Sequence, residues 1–229
     1  RSDDYGNTWK DISSNLPHEP VNVIKEDPVN ENIIYVGTDH GVYVSIDEGK
    51  NYHAFMDGLP NTPVHDLIVH PRENDLVLGT HGRGIYIGDV SFLQKLNEEI
   101  ISKSLHAFSI DEISYNSSWG SKTWDWGDLI EPKINVNFFT NSNGNGKIDI
   151  YYKEEVVSST EIQVNKGLNV LKLDLKTDDS FKELLEDDEK ANFKAADNGN
   201  YYLTAGEYTV RITVSETNVE TPLTIKKPR

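Results

Sequence analysis

The sequence predicts an all-β protein made of three consecutive parts. Residues 1–90 are expected to form a partial β-propeller, about two blades of a larger one. Residues 91–132 are expected to form a helix and a Trp-rich connector, and residues 133–229 an Ig-like β-sandwich. Two observations carry this prediction: a sequence repeat near the N-terminus, and runs of alternating apolar residues after residue 133. Repeats of about forty residues with four short strands each are typical of propeller blades.

The repeat is clearest in two copies of a motif of the form Ser-x-Asp-x-Gly-x-Thr-Trp. Box 1 (residues 2–9) consists of Ser2, Asp4, Gly6, Thr8 and Trp9. Box 2 (residues 45–52) begins 43 residues later and consists of Ser45, Asp47, Gly49, Asn51 and Tyr52. The flanks recur as well: Leu16-Pro17 with Leu59-Pro60, and Gly41-Val42-Tyr43 with Gly84-Ile85-Tyr86. Because several unlike residue types recur together, the repeat is a strong signal.

Each repeat contains four short apolar segments separated by Gly, Pro, Asn and Asp, as strands joined by turns require. In the complete repeat the predicted strands cover residues 21–25, 33–37, 42–45 and 52–55. A third box is absent, because Gly88 and Val90 stand where Ser and Asp are expected. Since a propeller closes with at least about four blades, we expect the remaining blades upstream in the same polypeptide or in a companion chain.

The residue types of the two boxes suit a tight turn. Ser and Asp side chains can bond to nearby backbone N–H groups, and Gly can adopt a positive φ. The Trp or Tyr ring is expected to pack between neighbouring sheets. The carboxylates of Asp4 and Asp47 are therefore interpreted as structural groups and not as catalytic ones.

These boxes resemble the Asp-box (BNR) repeats of sialidases, some endoglucanases and sortilin-like propellers. Residues 63–67 (PVHDL) and 79–86 (GTHGRGIY) resemble the last blade of bacterial sortilin-like BNR proteins. In those proteins a helix and a β-rich C-terminal domain follow. The resemblance therefore implies the same order of parts for most of this chain, and it implies little about activity.

A change of period follows the second repeat. Apolar residues at helical spacing predict a helix over about residues 91–104, packed against the outer surface of the propeller: Phe92, Leu93, Leu96, Ile100 and Ile101. The next segment contains Trp119, Trp124 and Trp126, near Asp125 and Asp128. If exposed, these rings could stack on a sugar; if buried, they would fill a joint between domains. Both interpretations stay open at this point.

Alternating apolar residues predict strands in the C-terminal part. The clearest examples are Ile134-x-Val136-x-Phe138, Ile148-x-Ile150-x-Tyr152, Leu171-x-Leu173-x-Leu175 and Tyr208-x-Val210-x-Ile212-x-Val214. About seven strand signals in nearly one hundred residues are typical of an Ig-like sandwich. Residues 203–210 (LTAGEYTV) resemble the entry to the penultimate strand of such modules. Residues 178–190, which carry seven acids, are predicted to form a short surface helix.

Candidate ligand-binding residues lie in the turns between the second and third predicted strands of each repeat. These are Asp39 and His40 in the first repeat and His81 and Arg83 in the second. Equivalent turns of neighbouring blades meet at one rim of a propeller, where they could contact a ligand. The alternative interpretation is that His81 and Arg83 bond to loop carbonyls and hold the last blade in place.

Composition excludes several classes of partner. With 38 acidic and 22 basic residues the formal net charge is −16, which repels phosphate backbones and anionic lipids. Nucleic acid is therefore not an expected partner, and because no apolar run approaches about 20 residues, membrane insertion is not expected either. The absence of cysteine excludes disulfides and thiolate chemistry.

No metal, cofactor or catalytic residue is predicted. Residues 141–148 resemble the start of a calcium loop, but Tyr152 stands where a bidentate Glu belongs, so a hairpin turn is favoured. Sialidase chemistry would need an arginine cluster with a Tyr nucleophile, and endoglucanase chemistry a suitably spaced pair of carboxylates. Neither site can be assembled from this sequence alone.

The function that fits these observations is a non-catalytic binding or scaffold protein outside the cytoplasm, at the periplasm, the cell surface or beyond. Its propeller rim would bind a protein or a glycan. Two alternatives remain. One is a glycoside hydrolase whose active site lies mainly in the missing blades. The other is a subunit of a cell-surface or secretion assembly.

Overall fold

The computed structural model describes residues 1–55, 58–124 and 126–228. Its regular structure consists mainly of β-strands with a few short helices, which confirms the all-β fold class. The chain divides into two compact units, Arg1–Glu98 and Glu99–Arg229. Each unit has its own arrangement of sheets and is described by itself below.

The first unit contains two antiparallel sheets that follow each other along the chain. In blade 1 the strands pair in chain order: β1 (Val21–Glu26), β2 (Ile34–Thr38), β3 (Val42–Ser45) and β4 (His53–Ala54). Blade 2 repeats this order in three strands: β5 (Val64–Val69), β6 (Asp75–Thr80) and β7 (Ile85–Asp89). The strands lie close to their predicted positions, and the partial propeller is confirmed.

Blade 2 covers one face of blade 1. The register of β2 and β3 places Tyr35, Gly37 and Val44 on this face, and Tyr35 and Val44 are fully buried. A Cβ atom added to Gly37 would lie 3.0 Å from the carbonyl oxygen of Val64, the first residue of β5. The absence of a side chain at Gly37 therefore permits the close approach of the two blades.

The opposite face of blade 1 is covered by the segment that precedes it. Ile34, Val36 and Tyr52 form a buried cluster against which Ile12 and Leu16 pack. Both faces of blade 1 are thus covered within the first unit. This explains why all five residues of its second strand are buried.

Blade 2 is covered on one face only. Its open face, defined by Ile68, Val77, Ile85 and Ile87, continues across three strands in register. Ile87 is 66% exposed, whereas Val44, its equivalent one repeat earlier, is fully buried. Contiguous apolar residues on a sheet face are normally covered in a native protein. Comparison of the two repeats therefore shows that this face is covered in blade 1, whereas no described residue covers it in blade 2.

The helix predicted over residues 91–104 consists of two short helices, α1 (Ser91–Gln94) and α2 (Glu98–Ser102). The side-chain amide of Asn30 donates a 2.9 Å hydrogen bond to the carbonyl oxygen of Leu96, between the two helices. The carbonyl oxygen of Leu96 thus accepts from a side chain and not from a backbone N–H group of a continuous helix. As the apolar spacing predicted, Phe92, Leu93 and Leu96 are buried.

The second unit contains two main sheets around a shared core. In chain order the strands are β8 (Leu105–Ala107), β9 (Ile113–Ser114), β10 (Lys133–Thr140), β11 (Gly144–Tyr152), β12 (Glu155–Val164), β13 (Gly167–Asp174), β14 (Lys176–Thr177), β15 (Tyr201–Tyr202), β16 (Gly206–Val214) and β17 (Thr217–Lys226). The smaller sheet has the strand order β13-β10-β8 and the larger β12-β11-β16-β17-β9. β14 and β15 pair separately as a two-stranded ladder.

The core of the second unit forms from the alternating residues of both sheets. Val136 and Phe138 of the smaller sheet and Ile150, Val210 and Ile212 of the larger one are fully buried in a single cluster. The predicted acidic segment forms a 3₁₀ helix (Asp179–Leu184) followed by α3 (Asp187–Lys190). Burial of Phe181 anchors this segment to the same core.

Candidate ligand-binding rim

The two boxes fold into the same hydrogen-bonded turn. In box 1 the hydroxyl of Ser2 donates to Asp4 (2.9 Å) and accepts from the backbone N–H of Gly6 (2.7 Å). In box 2 the hydroxyl of Ser45 donates to Asp47 (2.9 Å) and accepts from the N–H of Gly49 (2.8 Å). Gly6 and Gly49 have positive φ values of 88° and 85°. A local sequence pattern therefore produces one local structure twice.

In each turn the Asp carboxylate accepts several of the hydrogen bonds. Asp4 accepts from the backbone N–H and the hydroxyl of Thr8, at 2.8 Å each, and these bonds lower the pKa of its carboxyl group. For Asp47, burial acts to raise the pKa, but hydrogen bonds from Asn51 and Ser45 outweigh it and the net shift is downward. Both carboxylates are held ionised by turn donors, as a structural role requires.

The aromatic residues of the boxes differ in their surroundings. Tyr52 is only 4% exposed, which agrees with the expected packing of box 2 between sheets. Trp9 is 75% exposed, so among the described residues no second sheet packs on box 1, and the expected packing of Trp9 stays a prediction. The cause is tertiary: Ile12 and Leu16 cover Tyr52, and no equivalent segment covers Trp9 in the described part of the chain.

The predicted rim consists of the loops that follow β2 and β6. Each loop is closed by a threonine: Thr38 donates to the carbonyl oxygen of Gly41 (3.1 Å) and Thr80 to that of Gly84 (2.6 Å). Both loops lie beside the beginning of the first strand of their own blade, through contacts of Asn22 with Asp39 and of Pro63 with His81. Since β2 and β5 approach closely at Gly37, the two loops lie at the same end of adjacent blades.

In the blade 1 loop the candidate side chains are engaged by polar neighbours. Asp39 accepts a 2.9 Å hydrogen bond from the amide of Asn22. His40 contacts the carboxylate of Glu19 through Nδ1. Burial and the neighbouring Glu19 raise the pKa of the Tyr43 hydroxyl. Glu19, whose side chain is mostly buried, therefore joins the loop to the segment before β1.

In the blade 2 loop the backbone is fixed and the side chains are exposed. The N–H of His81 donates to the carbonyl oxygen of Pro63 (2.9 Å), and the hydroxyl of Thr62 donates to the carbonyl oxygen of His81 (3.3 Å). The rings of His65 and His81 meet edge to face with centroids 5.3 Å apart. Arg83 is exposed and has no hydrogen bond or ion pair with any described residue.

This arrangement offers a cationic and aromatic surface at a rigid loop. An exposed guanidinium without a partner can bind carboxylates or backbone carbonyls of a ligand in a planar, bidentate geometry. In the described residues every resolved shift of a carboxyl pKa is downward, at Asp3, Asp4, Asp11 and Asp47. These four carboxyl groups are therefore held in the ionised form.

The three tryptophans of the predicted connector fall into two groups, all within the second unit. Trp119 is 6% exposed and packs in the core, 5.1 Å from the ring of Tyr115, so its assignment as a glycan-stacking residue is wrong. Trp124 and Trp126 are exposed, with ring centroids 5.7 Å apart and a tilt of 34° between the rings. Asp125 lies outside the described residues.

Several residues of the rim were not recognised as candidates from the sequence. Glu19 and Asn22 precede or begin β1 and reach Asp39 and His40 only through the fold. Thr62 and His65 come into contact with His81 in the same way. The repeat was the one feature of the sequence that could have identified these residues. Glu19 and Asn22 flank a Pro-Val pair at the start of the first strand of blade 1, and Thr62 and His65 flank the equivalent pair in blade 2.

Comparison with known families accounts for nearly the whole chain. The family model Sortilin-Vps10 (Sortilin, neurotensin receptor 3) matches residues 1–225. The chain belongs to this family. Membership in the Sortilin-Vps10 family supports a β-propeller protein with a binding or scaffold role, and domains of this family are generally extracellular or lumenal. None of the helices in the described ranges is long and apolar enough to span a membrane.

Proposed function

We propose that this chain is part of a non-catalytic binding protein located outside the cytoplasm, and that it binds a protein ligand at the rim of its blades. The observation that carries this proposal is the exposed guanidinium of Arg83, without a partner among the described residues, in the same loop as His81, whose exposed ring contacts that of His65. Arginine and aromatic side chains contribute much of the binding energy in protein interfaces. The chain is otherwise strongly acidic, and Arg72, the other exposed arginine of blade 2, lies at the opposite end of the blade.

The family supports a peptide or protein as the class of ligand. The description of the matching family names a neurotensin receptor, that is, a receptor for a peptide. A peptide ligand offers carboxylates and backbone carbonyls, which are the groups that Arg83 can bind. Asp39 and His40 of the adjacent loop would add an acceptor and a second titratable group at the same rim.

Further propeller blades are proposed to cover the open face of blade 2. The equivalent face of blade 1 is buried against blade 2 at Tyr35 and Val44, and the corresponding residues of blade 2, Val77 and Ile87, are also apolar. A blade packed on Ile68, Val77 and Ile87 would repeat that interface. These blades would belong to the same polypeptide or to a companion chain.

For the second unit we propose an Ig-like sandwich that serves as a spacer or dock. Two features support this: Tyr208, near the start of β16, donates from its hydroxyl to the carbonyl oxygen of Thr204 (2.9 Å), and β9 pairs in parallel with the last strand. A tyrosine bonded to the backbone a few residues upstream, at the start of the penultimate strand, is typical of Ig-like domains.

The rim proposal is tested by charge reversal at Arg83. Arg83→Glu is expected to weaken capture of a ligand from the extracytoplasmic fraction of the source cells at least about tenfold, since it turns attraction into repulsion. The matched control is Arg72→Glu, because Arg72 is exposed in the same blade, in the turn between β5 and β6, at the end opposite to the rim loop. Equal capture of the ligand by both variants would contradict ligand binding at the rim.

A glycan is the second candidate ligand, and the exposed pair Trp124 and Trp126 favours it. Their tilted rings form a surface on which sugar rings could stack. Retention of the protein on immobilised polysaccharides should then fall in Trp126→Ala and stay unchanged in Arg83→Glu. The opposite result would assign binding to the rim.

A further inference from the structure

A run of asparagine and glycine joins the two main sheets of the second unit. Residues 141–146 (NSNGNG) follow β10 of the smaller sheet and lead into β11 of the larger one. The segment is therefore a crossover between sheets, where the sequence predicts a hairpin turn. It contains two Asn-Gly pairs, Asn143-Gly144 and Asn145-Gly146, and the third pair of the chain is Asn198-Gly199.

Asn-Gly pairs can lose ammonia without an enzyme. The backbone nitrogen of the glycine attacks Cγ of the asparagine, the new C–N bond closes a cyclic imide, and the side-chain nitrogen leaves as ammonia. Water then opens the ring to aspartate or isoaspartate, so the net reaction converts an amide and water into a carboxylate and ammonium. Glycine favours this attack because it has no side chain to hinder it. The fold decides which glycine nitrogen can reach Cγ.

Asn143 is exposed, and the fold engages one end of its side-chain amide. Oδ1 accepts a 2.7 Å hydrogen bond from the backbone N–H of Lys166, whereas Nδ2 donates to none of the described residues. The bond to Oδ1 polarises the side-chain carbonyl group and stabilises the negative charge that develops on the oxygen during the attack. Nδ2, which leaves as ammonia, is not held by a described partner.

Gly144, which supplies the attacking nitrogen, lies at the beginning of β11. In the described strands it pairs on one side only, with Val164 of β12. A Cβ atom added to Gly144 would meet no described heavy atom within 4 Å, so the space at this position is open. The ends of strands open more readily than their centres. The first pair therefore combines an activated carbonyl group with a glycine that can move.

The second pair lies inside the larger sheet. Gly146 pairs with Ile162 on one side and with Val214 on the other. A Cβ atom added to Gly146 would lie 3.0 Å from the carbonyl oxygen of Thr213. The backbone of Gly146 is thus fixed between two strands and cannot turn towards Cγ of Asn145 without local unfolding.

The third pair is held at both reacting groups. The N–H of Gly199 donates to the carbonyl oxygen of Ala196 (2.9 Å). The side chain of Asn198 accepts from the N–H of Asn200 (3.0 Å) and donates through Nδ2 to the hydroxyl of Tyr202 (2.8 Å). Both the attacking nitrogen and the leaving group are therefore engaged in hydrogen bonds.

We propose that Asn143-Gly144 is a site of spontaneous deamidation, at which Asn143 becomes aspartate or isoaspartate in the folded protein. Either product adds a negative charge at neutral pH. Isoaspartate also adds a carbon to the main chain ahead of β11, which pairs with β12 and β16. This shifts Gly144 relative to Val164 and loosens the end of the larger sheet. The proposal concerns the second unit and is independent of ligand binding at the rim.

The test compares all three pairs in one sample. The complete 229-residue chain is incubated at mildly alkaline pH, folded or in urea, and digested with trypsin, which separates residues 134–147 from residues 195–211. Mass spectrometry detects the exchange of the amide for a carboxyl group, and fragmentation separates Asn143 from Asn145. In the folded chain Asn143 should react at least about tenfold faster than Asn145 and Asn198, because held groups react only after local opening.

Urea and two variants complete the experiment. In urea the three rates should agree within about threefold, since a glycine follows each asparagine and the fold no longer holds it. Asn143→Gln should remove the fast reaction, because its longer side chain closes the ring less readily. Asn145→Gln is the matched control and should leave the rate at Asn143 unchanged.

Two results would overturn the proposal. One is equal rates at the three pairs in the folded chain, or a faster reaction at Asn145 or Asn198. The other is a rate at Asn143 that rises at least about tenfold in urea, which would mean that the fold protects this pair as well. Neither result depends on Arg83.

Discussion

The side-chain amide of Gln94 lies 3.2 and 3.1 Å from the two carboxylate oxygens of Asp27, although the two residues are 67 positions apart. Asp27 is 4% exposed and also accepts from the hydroxyl of Tyr35 (3.0 Å) and the backbone N–H of Val29 (2.8 Å) and Asn30 (3.0 Å). One buried carboxylate therefore links a turn and a strand of blade 1 with α1.

Removal of this carboxylate should destabilise the first unit. Asp27→Ala leaves the buried hydroxyl of Tyr35 and the partly buried donors of Val29 and Gln94 without an acceptor, which is expected to cost about 3 kcal/mol. The free energy of unfolding is measured by urea denaturation, followed in the transition of the first unit. Glu31→Ala, at an exposed acid in the same turn region, is the control and should change it by less than about 0.5 kcal/mol.

Box 2 should make the first unit sensitive to acid. The pKa of Asp47 is lowered in the folded state, because hydrogen bonds from Asn51 and Ser45 outweigh burial. The ionised carboxylate therefore adds stability above its unfolded pKa of about 3.9, and this stability is lost as pH falls through the lower folded pKa. Asp47→Asn should be destabilised by about 1 kcal/mol at pH 7.

The check is a comparison of unfolding free energies at neutral and acidic pH. The difference between the natural protein and Asp47→Asn should shrink as pH falls from about 4 downward, since the natural carboxyl group then becomes neutral too. A difference that stays constant over this range would show that ionisation of Asp47 does not contribute to the free energy of unfolding.

The two blades allow a matched test of the open face. Val44 and Ile87 occupy equivalent positions, but Val44 is fully buried and Ile87 is 66% exposed. In the chain of 229 residues, Val44→Ala should cost about 2 kcal/mol and Ile87→Ala less than about 0.5 kcal/mol. Both values come from chemical denaturation at low protein concentration. A large cost at Ile87 would mean that the open face is already covered in the isolated chain.

Tryptophan substitutions should distinguish the core of the second unit from its surface. Trp119→Ala empties a buried site and is expected to cost about 3 to 5 kcal/mol. Trp126→Ala, at a ring that is 85% exposed, should leave the unfolding midpoint of the second unit nearly unchanged. Similar effects of the two substitutions, measured by thermal unfolding, would contradict the burial of Trp119.

Prediction from sequence succeeded where the information is local or periodic. The strands of both blades follow from apolar segments between turn residues, and the identical turns of the two boxes follow from Ser, Asp and Gly at fixed spacing. Alternation located the longer strands of the second unit, including those that carry Val136, Ile150 and Val210. These features depend on neighbouring residues, so a pattern in one segment is enough to predict them.

Burial was predicted less well because it depends on what another segment supplies. The sequence does not distinguish the surroundings of Trp119 from those of Trp126. The continuous helix expected over residues 91–104 is instead two short helices, and the carbonyl of Leu96 between them accepts a hydrogen bond from Asn30. The roles of Glu19 and Asn22 at the rim were missed for the same reason. Each depends on a partner that is distant in the chain.

The repeat, the turns of both boxes and the all-β class follow from the sequence, because each is produced by interactions between residues a few positions apart. The three-dimensional fold was needed to show that, among the described residues, Tyr52 is covered and Trp9 is exposed, that Asp27 is bonded to Gln94, and that one face of blade 2 is exposed. Burial is a property of two surfaces in contact, and the pattern of one segment does not reveal whether the second surface is present.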